Sequence, residues 1–86
     1  PMSCGIGGDL FAIVWDANTQ QLYGLNASGR SPLQIRRETL VEQGLQQIPD
    51  YGPLSWSTPG CVDGWWELHR KFGRANWADL LAPAIQ

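Results

Sequence analysis

An α+β fold, an antiparallel hairpin followed by three helices, is predicted by three features of this 86-residue chain. The apolar segment Leu10 to Trp15 is joined by turn residues to a second strand-like segment. Ser31-Pro32 and Thr58-Pro59 each place a capping hydroxyl and a proline ahead of apolar residues at helical spacing. A third helical pattern follows Asn76, and the chain has neither internal repeats nor a low-complexity tract.

The first strand is preceded by Gly5, Gly7 and Gly8 in the run CGIGGDLFAIV. Glycines so clustered let a backbone turn sharply or approach another backbone closely. The unbroken apolar run reads as a strand buried on both faces. Asp16-Ala17-Asn18-Thr19 is turn chemistry, and Gln21 to Asn26 follows as the second strand, with Tyr23 and Leu25 on one face and Leu22 opposite. From Ser31-Pro32 a helix is expected to carry Leu33, Leu40, Val41, Gly44 and Leu45 on its dry side. Arg36, Arg37, Glu38 and Glu42 fall on its wet side. Ile48 to Pro53 is a loop, and Ser55-Trp56-Ser57 a short extended piece. The second helix is expected to start at Thr58-Pro59, to pack through Val62, Trp65, Trp66, His69 and Phe72, and to stop at Gly73. Asn76 with Asp79 begins the third helix, whose apolar face is Trp77, Leu80, Leu81, Ala84 and Ile85; Pro83 is expected to kink it or end it early.

A formal charge of −2, with basic residues scattered except at His69, Arg70 and Lys71, argues against a nucleic-acid surface. No apolar run reaches membrane-spanning length, and nothing resembles a signal peptide. Cys4 and Cys61 are too few and too far apart for a disulfide framework or a zinc site, so a reducing and an oxidising compartment are both compatible. Five tryptophans, two tyrosines and two phenylalanines are a heavy aromatic load for so small a core. Some of those rings need cover from elsewhere. With a chain that opens at Pro1 and closes at Gln86 inside a helical pattern, the expectation is a segment of a larger layered protein, with no complete domain of its own.

Chemistry-bearing residues are sparse. The GIGG run precedes a strand, whereas Rossmann and P-loop motifs follow one and open a helix, so a tight turn is expected there and no nucleotide cofactor. Asn26-Ala27-Ser28-Gly29-Arg30 sits at the exit of the second strand, where Arg30 can clamp a carboxylate with its two-pronged guanidinium. An arginine at a strand end is more often a solvated surface residue. Asn26-Ala27-Ser28 also matches a glycosylation acceptor, a pattern that arises often by chance. His69, the single histidine, shares a stripe with Trp65 and Trp66, which favours a packed or capping role over catalysis. Neither cysteine has a nearby basic partner in sequence. Trp65 and Trp66 point about 100° apart on a helix, so they form no flat stacking platform. No catalytic residue and no metal-ligand set is assigned to this chain.

Four segments, CGIGGDLFAIVWD, LYGLNASGRSP, PGCVDGWWELHRKFG and WADLLAPAI, in this order and spacing, resemble the large-subunit region of the gamma-glutamyltransferase family. The resemblance covers nearly the whole chain. It implies an N-terminal-nucleophile hydrolase with a four-layer αββα fold, of which residues 1–86 are a partial large-subunit segment. The parent is then a proenzyme of several hundred residues that cleaves itself into large and small subunits. Its small subunit begins with the nucleophilic threonine and supplies the oxyanion donors. Such enzymes hydrolyse or transfer gamma-glutamyl groups, as in glutathione, through a covalent acyl-enzyme.

Two departures shape the expectation. Familiar glutathione-cleaving members carry, after the second strand, asparagine or aspartate, any residue, arginine, glutamate, any residue, alanine, proline, and that arginine binds the alpha-carboxylate. An ungapped match of Asn26 and Pro32 puts Ser28 at the arginine and Gly29 at the glutamate, with Arg30 two residues later. Residues two apart in extended chain share a face, so Arg30 can serve the same pocket from a shifted anchor. The GGDLF and NASGR variants resemble the family's gamma-glutamyltransferase-like branch, which includes acylases and amidohydrolases. Secondly, Thr19, Thr39 and Thr58 lie in expected turns or helices and match nothing in the catalytic motif. The implied substrate-binding residues are therefore Arg30, Ser28 and Asn26. The implied partners are a small-molecule amide, the rest of the large subunit and the small subunit, with no nucleic acid and no membrane. A related acylase with a different acyl group, or a small stand-alone interaction domain, are the alternative readings.

Overall fold

The computed structural model describes residues 5–85; Cys4 of the glycine-rich opening and Gln86 at the end of the last helical pattern lie outside the described residues. The order is β1 (Leu10–Asp16), β2 (Gln21–Ala27), α1 (Arg37–Glu42), a single 3-10 turn at Pro53–Ser55, α2 (Cys61–Phe72) and α3 (Trp77–Ile85). The hairpin and the three helices match the predicted α+β class.

β1 and β2 pair antiparallel in a register running from Leu10↔Ala27 to Asp16↔Gln21. The Asp16 carboxylate accepts the Asn18 N–H at 2.9 Å, which closes the connection. That bond, with the Thr19 side chain adding to it, holds the Asp16 carboxyl below the ordinary aspartate value. Because strand side chains alternate, Leu10, Ala12 and Val14 share one face with Tyr23, Leu25 and Ala27, and this face is half-buried under α2. The opposite face is open: Phe11 is 67% and Ile13 80% exposed, with Trp15 and Leu22 beside them. The second covering layer that a strand buried on both faces requires is not among the described residues. Among the described residues one helix layer covers the hairpin, and only one side of it.

α2 meets that face through residues other than the expected aromatic stripe. Cys61 and Gly64 are its buried positions, with Leu68 and Phe72 half-buried below them. A Cβ on Gly64 would stand 2.6 Å from both the Ala27 Cβ and the Leu10 Cδ2, so a larger residue would lift the helix off the strands. Of the predicted stripe, Phe72 docks, meeting Tyr23 edge-on at 5.3 Å. Val62, Trp65 and Trp66 remain exposed, and the positions that the close approach of helix to strands buries are the small Cys61 and Gly64.

The helix starts also differ. α2 begins at Cys61 with Gly60 as its cap and no side-chain cap bond, two residues after the Thr58-Pro59 start expected. The Gly8 carbonyl does the capping, accepting the N–H groups of Gly60 at 3.0 Å and Cys61 at 2.9 Å. The Gly5–Gly8 turn, closed by a Gly8 N–H to Gly5 carbonyl bond of 3.2 Å, presents that oxygen. At Ser31-Pro32 the chain makes one turn, Ile35 N–H to Pro32 carbonyl, then becomes extended at Arg36, and α1 is only six residues long. Leu33 is 96% exposed, so the first half of the expected helix has no packing to hold it. Gly44, expected inside the helix, ends it at φ 77, with Gly44 N–H bonded to the Val41 carbonyl and Leu45 N–H to that of Leu40. Ser55 belongs to the 3-10 turn, and the chain becomes extended at Trp56.

α3 starts as expected: the Asn76 side chain accepts the Ala78 N–H at 2.9 Å. Asn76→Ala should weaken the first turn of α3 by about 1 kcal/mol, read as faster amide exchange at Ala78. Unchanged exchange would show that the side chain caps nothing. Pro83 does not end this helix, which runs on to Ile85. The N–H it removes would have paired with the carbonyl of Asp79, itself an exposed residue.

Candidate functional site

The exit of β2 is built from short-range chemistry and then locked by distant residues. Asn26 accepts the Ser28 N–H on its side-chain oxygen at 2.9 Å, an Asx turn that bends the chain out of the strand. Asp9, the residue before β1, accepts the Ser28 hydroxyl at 3.3 Å and the Gly29 N–H at 3.3 Å. It also accepts the Ser57 hydroxyl at 3.1 Å. The Arg30 carbonyl accepts the Thr58 N–H at 2.9 Å. Two glycines make this crossing of loops feasible. A Cβ on Gly29 would overlap the Thr58 carbonyl, and one on Gly60 would overlap the carbonyl of Ala27.

Between this exit and the start of α2 lies a groove of about 550 Å³ lined in part by Asn26, Ser28, Arg30, Thr58, Asp63 and Glu67. All three sequence-predicted site residues therefore line one groove. Ser28 and Arg30 are exposed on either side of half-buried Gly29, as residues two apart on one face should be. Arg30 makes no ion pair among the described residues. Glu67 is already paired with Arg70 at 2.7 Å on the helix surface, a pair of small energetic value. Asp63 sits in the first turn of α2, where the helix dipole favours a negative charge. The groove thus offers a guanidinium, a carboxylate and a hydroxyl. It holds no nucleophile paired with a base, since the single histidine lies elsewhere.

His69 packs, as expected. Its ring stacks on Trp66 at 6.0 Å and tilts against Trp77 at 5.2 Å. Nε2 lies 2.7 Å from the Ala75 carbonyl, which only accepts, so Nε2 carries the proton; Nδ1 is buried without a partner among the described residues. Gly73 follows because a Cβ there would overlap the His69 ring. Trp66 meets Trp77 edge-on at 5.4 Å, so this tryptophan joins α2 to α3. Cys61 is a buried free thiol. A second groove, about 440 Å³, runs between the hairpin and α2, where the Lys71 ammonium lies 4.2 Å from the Tyr23 ring centre. Among the described residues no group of three or more His, Cys, Asp or Glu could hold a metal ion, and no helix is long and apolar enough to cross a membrane.

Sequence reasoning missed Asp9 and Asp63. Asp9 had a signal, the one charged residue between the glycine turn and the apolar strand. Its partners, however, are 19, 20 and 48 residues away.

The family model described as gamma-glutamyltranspeptidase matches residues 1–86. The glutathione hydrolase-like YwrD proenzyme of Bacillus subtilis is 38% identical over 85 residues, covering 98% of this chain and 16% of that protein. The glutathione hydrolase 5 proenzyme of Rattus norvegicus is 31% identical over 86 residues, 99% of this chain and 15% of the relative. The glutathione hydrolase proenzyme of Pseudomonas aeruginosa is 47% identical over 41 residues, 48% of this chain and 7% of the relative. The chain spans about one-sixth of the length of the first two relatives.

Proposed function

The chain belongs to the gamma-glutamyltranspeptidase family, and from that membership we propose that it is one wall of the acyl-donor pocket of an autoprocessed amide hydrolase or acyltransferase. The substrate class is gamma-glutamyl compounds such as glutathione. The observation that carries this reading is the single groove in which Arg30, Ser28 and Asn26 meet. Arg30 binds the donor's alpha-carboxylate through two N–H groups. Asp63 lines the same groove with the opposite charge, which suits the ammonium of the same alpha-amino acid end. Ser28 and Asn26 shape the floor. The nucleophile is an N-terminal threonine of a small subunit beyond these residues. Its hydroxyl attacks the donor amide carbonyl, the amine leaves with a proton, and water or an acceptor amine resolves the ester. The oxyanion donors belong to that subunit too.

In this reading the hairpin is a part of one sheet of a four-layer αββα sandwich, and the open Phe11/Ile13/Trp15 face lies inside the parent. The loose shape supports a part of a larger body over a stand-alone interaction domain. The radius of gyration is 17.4 Å, whereas a compact domain of this length has about 12 Å. An acylase of different acyl preference is the second reading. It is favoured by one feature, the serine that stands where the family arginine is expected.

The parent enzyme should release amine from a gamma-glutamyl anilide, and the 86-residue chain by itself should release none above a heat-killed control. Turnover by the isolated chain would sink the assignment of the nucleophile to another subunit. An intact, processed parent that ignores gamma-glutamyl amides but cleaves other acyl amides would select the acylase reading.

A further inference from the structure

We propose that Asp9 is a positioning residue for the donor pocket, fixing the Ser28–Arg30 loop so that the Arg30 guanidinium is held at the groove. This inference rests on the gamma-glutamyl reading above. A carboxylate is an acceptor-only group with about four lone-pair sites. Asp9 uses them to gather three donors from two separate segments: Ser28 Oγ on one oxygen, Gly29 N–H and Ser57 Oγ on the other. Gly29 is half-buried, and Asp9 is the only acceptor its N–H has among the described residues. Removing the carboxylate leaves that group without a partner, which is costly in a partly desolvated place.

Asp9 is itself held still. The Gly8 carbonyl just before it takes the N–H groups of the cap residue Gly60 and of Cys61, the first residue of α2, and β1 pairing begins at Leu10 just after it. On the far side the Thr58 N–H grips the Arg30 carbonyl at 2.9 Å. Arg30 is therefore tied by its own backbone to the segment before α2, and by its two preceding residues to Asp9. A guanidinium on a loop tethered in this way loses less freedom on binding a carboxylate than one on a free loop. Asp9 touches no part of the donor. It acts through Arg30, so its loss should appear in donor affinity.

The test uses the processed parent enzyme with Asp9→Ala, Asp9→Asn, Arg30→Ala and the double variant Asp9→Ala/Arg30→Ala. Two donors are compared, a gamma-glutamyl anilide and its analogue lacking the alpha-carboxylate, alongside amide hydrogen exchange at Gly29. Asp9→Ala should speed Gly29 exchange at least about ten-fold, the loss of a charge-assisted bond. It should raise KM for the carboxylate donor about ten-fold with kcat within two-fold, and add nothing once Arg30 is already alanine. Asp9→Asn keeps an acceptor oxygen for Gly29 and Ser57 and should recover most of both effects, which separates positioning from misfolding. The proposal is overturned if Gly29 exchange is unchanged, if kcat falls while KM stays, or if Asp9→Ala and Arg30→Ala multiply. An Arg30→Ala variant equally active on both donors overturns the pocket reading by itself. In that case Gly29 exchange still decides whether Asp9 holds the loop.

Discussion

Among the described glycines, Gly29 is where an added methyl group, in Gly29→Ala, should do the most damage. The new Cβ would fall on the Thr58 carbonyl, a backbone atom that cannot rotate aside. Either the β2 exit or the segment before α2 must move, and each is held by the other through Asp9 and the Thr58 N–H. A destabilisation of about 3 kcal/mol or more is expected, the upper end for overpacking. Denaturant unfolding of the parent enzyme measures it. Gly24→Ala is the control: it lies within β2, five residues before Gly29, a Cβ there meets nothing within 4 Å, and it should change stability by less than about 1 kcal/mol. Equal stability of the two variants would show that the loops do not cross as closely as described.

Arg30→Ala should have the largest effect on catalysis. If Arg30 takes over from the displaced family arginine, the variant loses a charge-assisted hydrogen bond worth about 1.5–3 kcal/mol. The expected loss in kcat/KM for carboxylate-bearing donors is about ten- to a hundred-fold, mostly in KM. Donors without the carboxylate should barely change. Arg30→Lys should restore only part of the activity, since an ammonium is a point charge and cannot bind in two prongs. Equal losses on both donors would make Arg30 structural. No loss on either would leave Ser28 in a pocket for a different acyl group.

Much of the candidate groove was legible because its first step is local. Asn26 and Ser28 are two residues apart, and the Asx turn between them needs no other part of the molecule. Arg30, two residues further on, lines the same groove. What was not legible is the clamp. No local pattern joins Asp9 to Ser57, 48 residues on, or makes the Gly8 carbonyl the cap of a helix beginning at Cys61. Thr58-Pro59 is a sound start signal taken alone, and it was overridden by a carbonyl that reached the helix N–H groups first. Along α2, periodicity ranked tryptophans as the packing face. Close approach to the hairpin instead selected the small residues Cys61 and Gly64.

The residues by themselves determined the hairpin, its turn at Asp16, the three helical segments and the Asn76 cap, since each depends on side chains within about four positions of one another. The order and spacing of four motifs also determined the family. Only the tertiary structure decided which face of the hairpin is covered, where α1 and α2 begin, and that Asp9 holds the Arg30 loop. Those outcomes depend on which distant backbones come within hydrogen-bond or van der Waals distance. Glycine at 29, 60 and 64 permits that approach, but only the folded chain shows what lies on the other side of each.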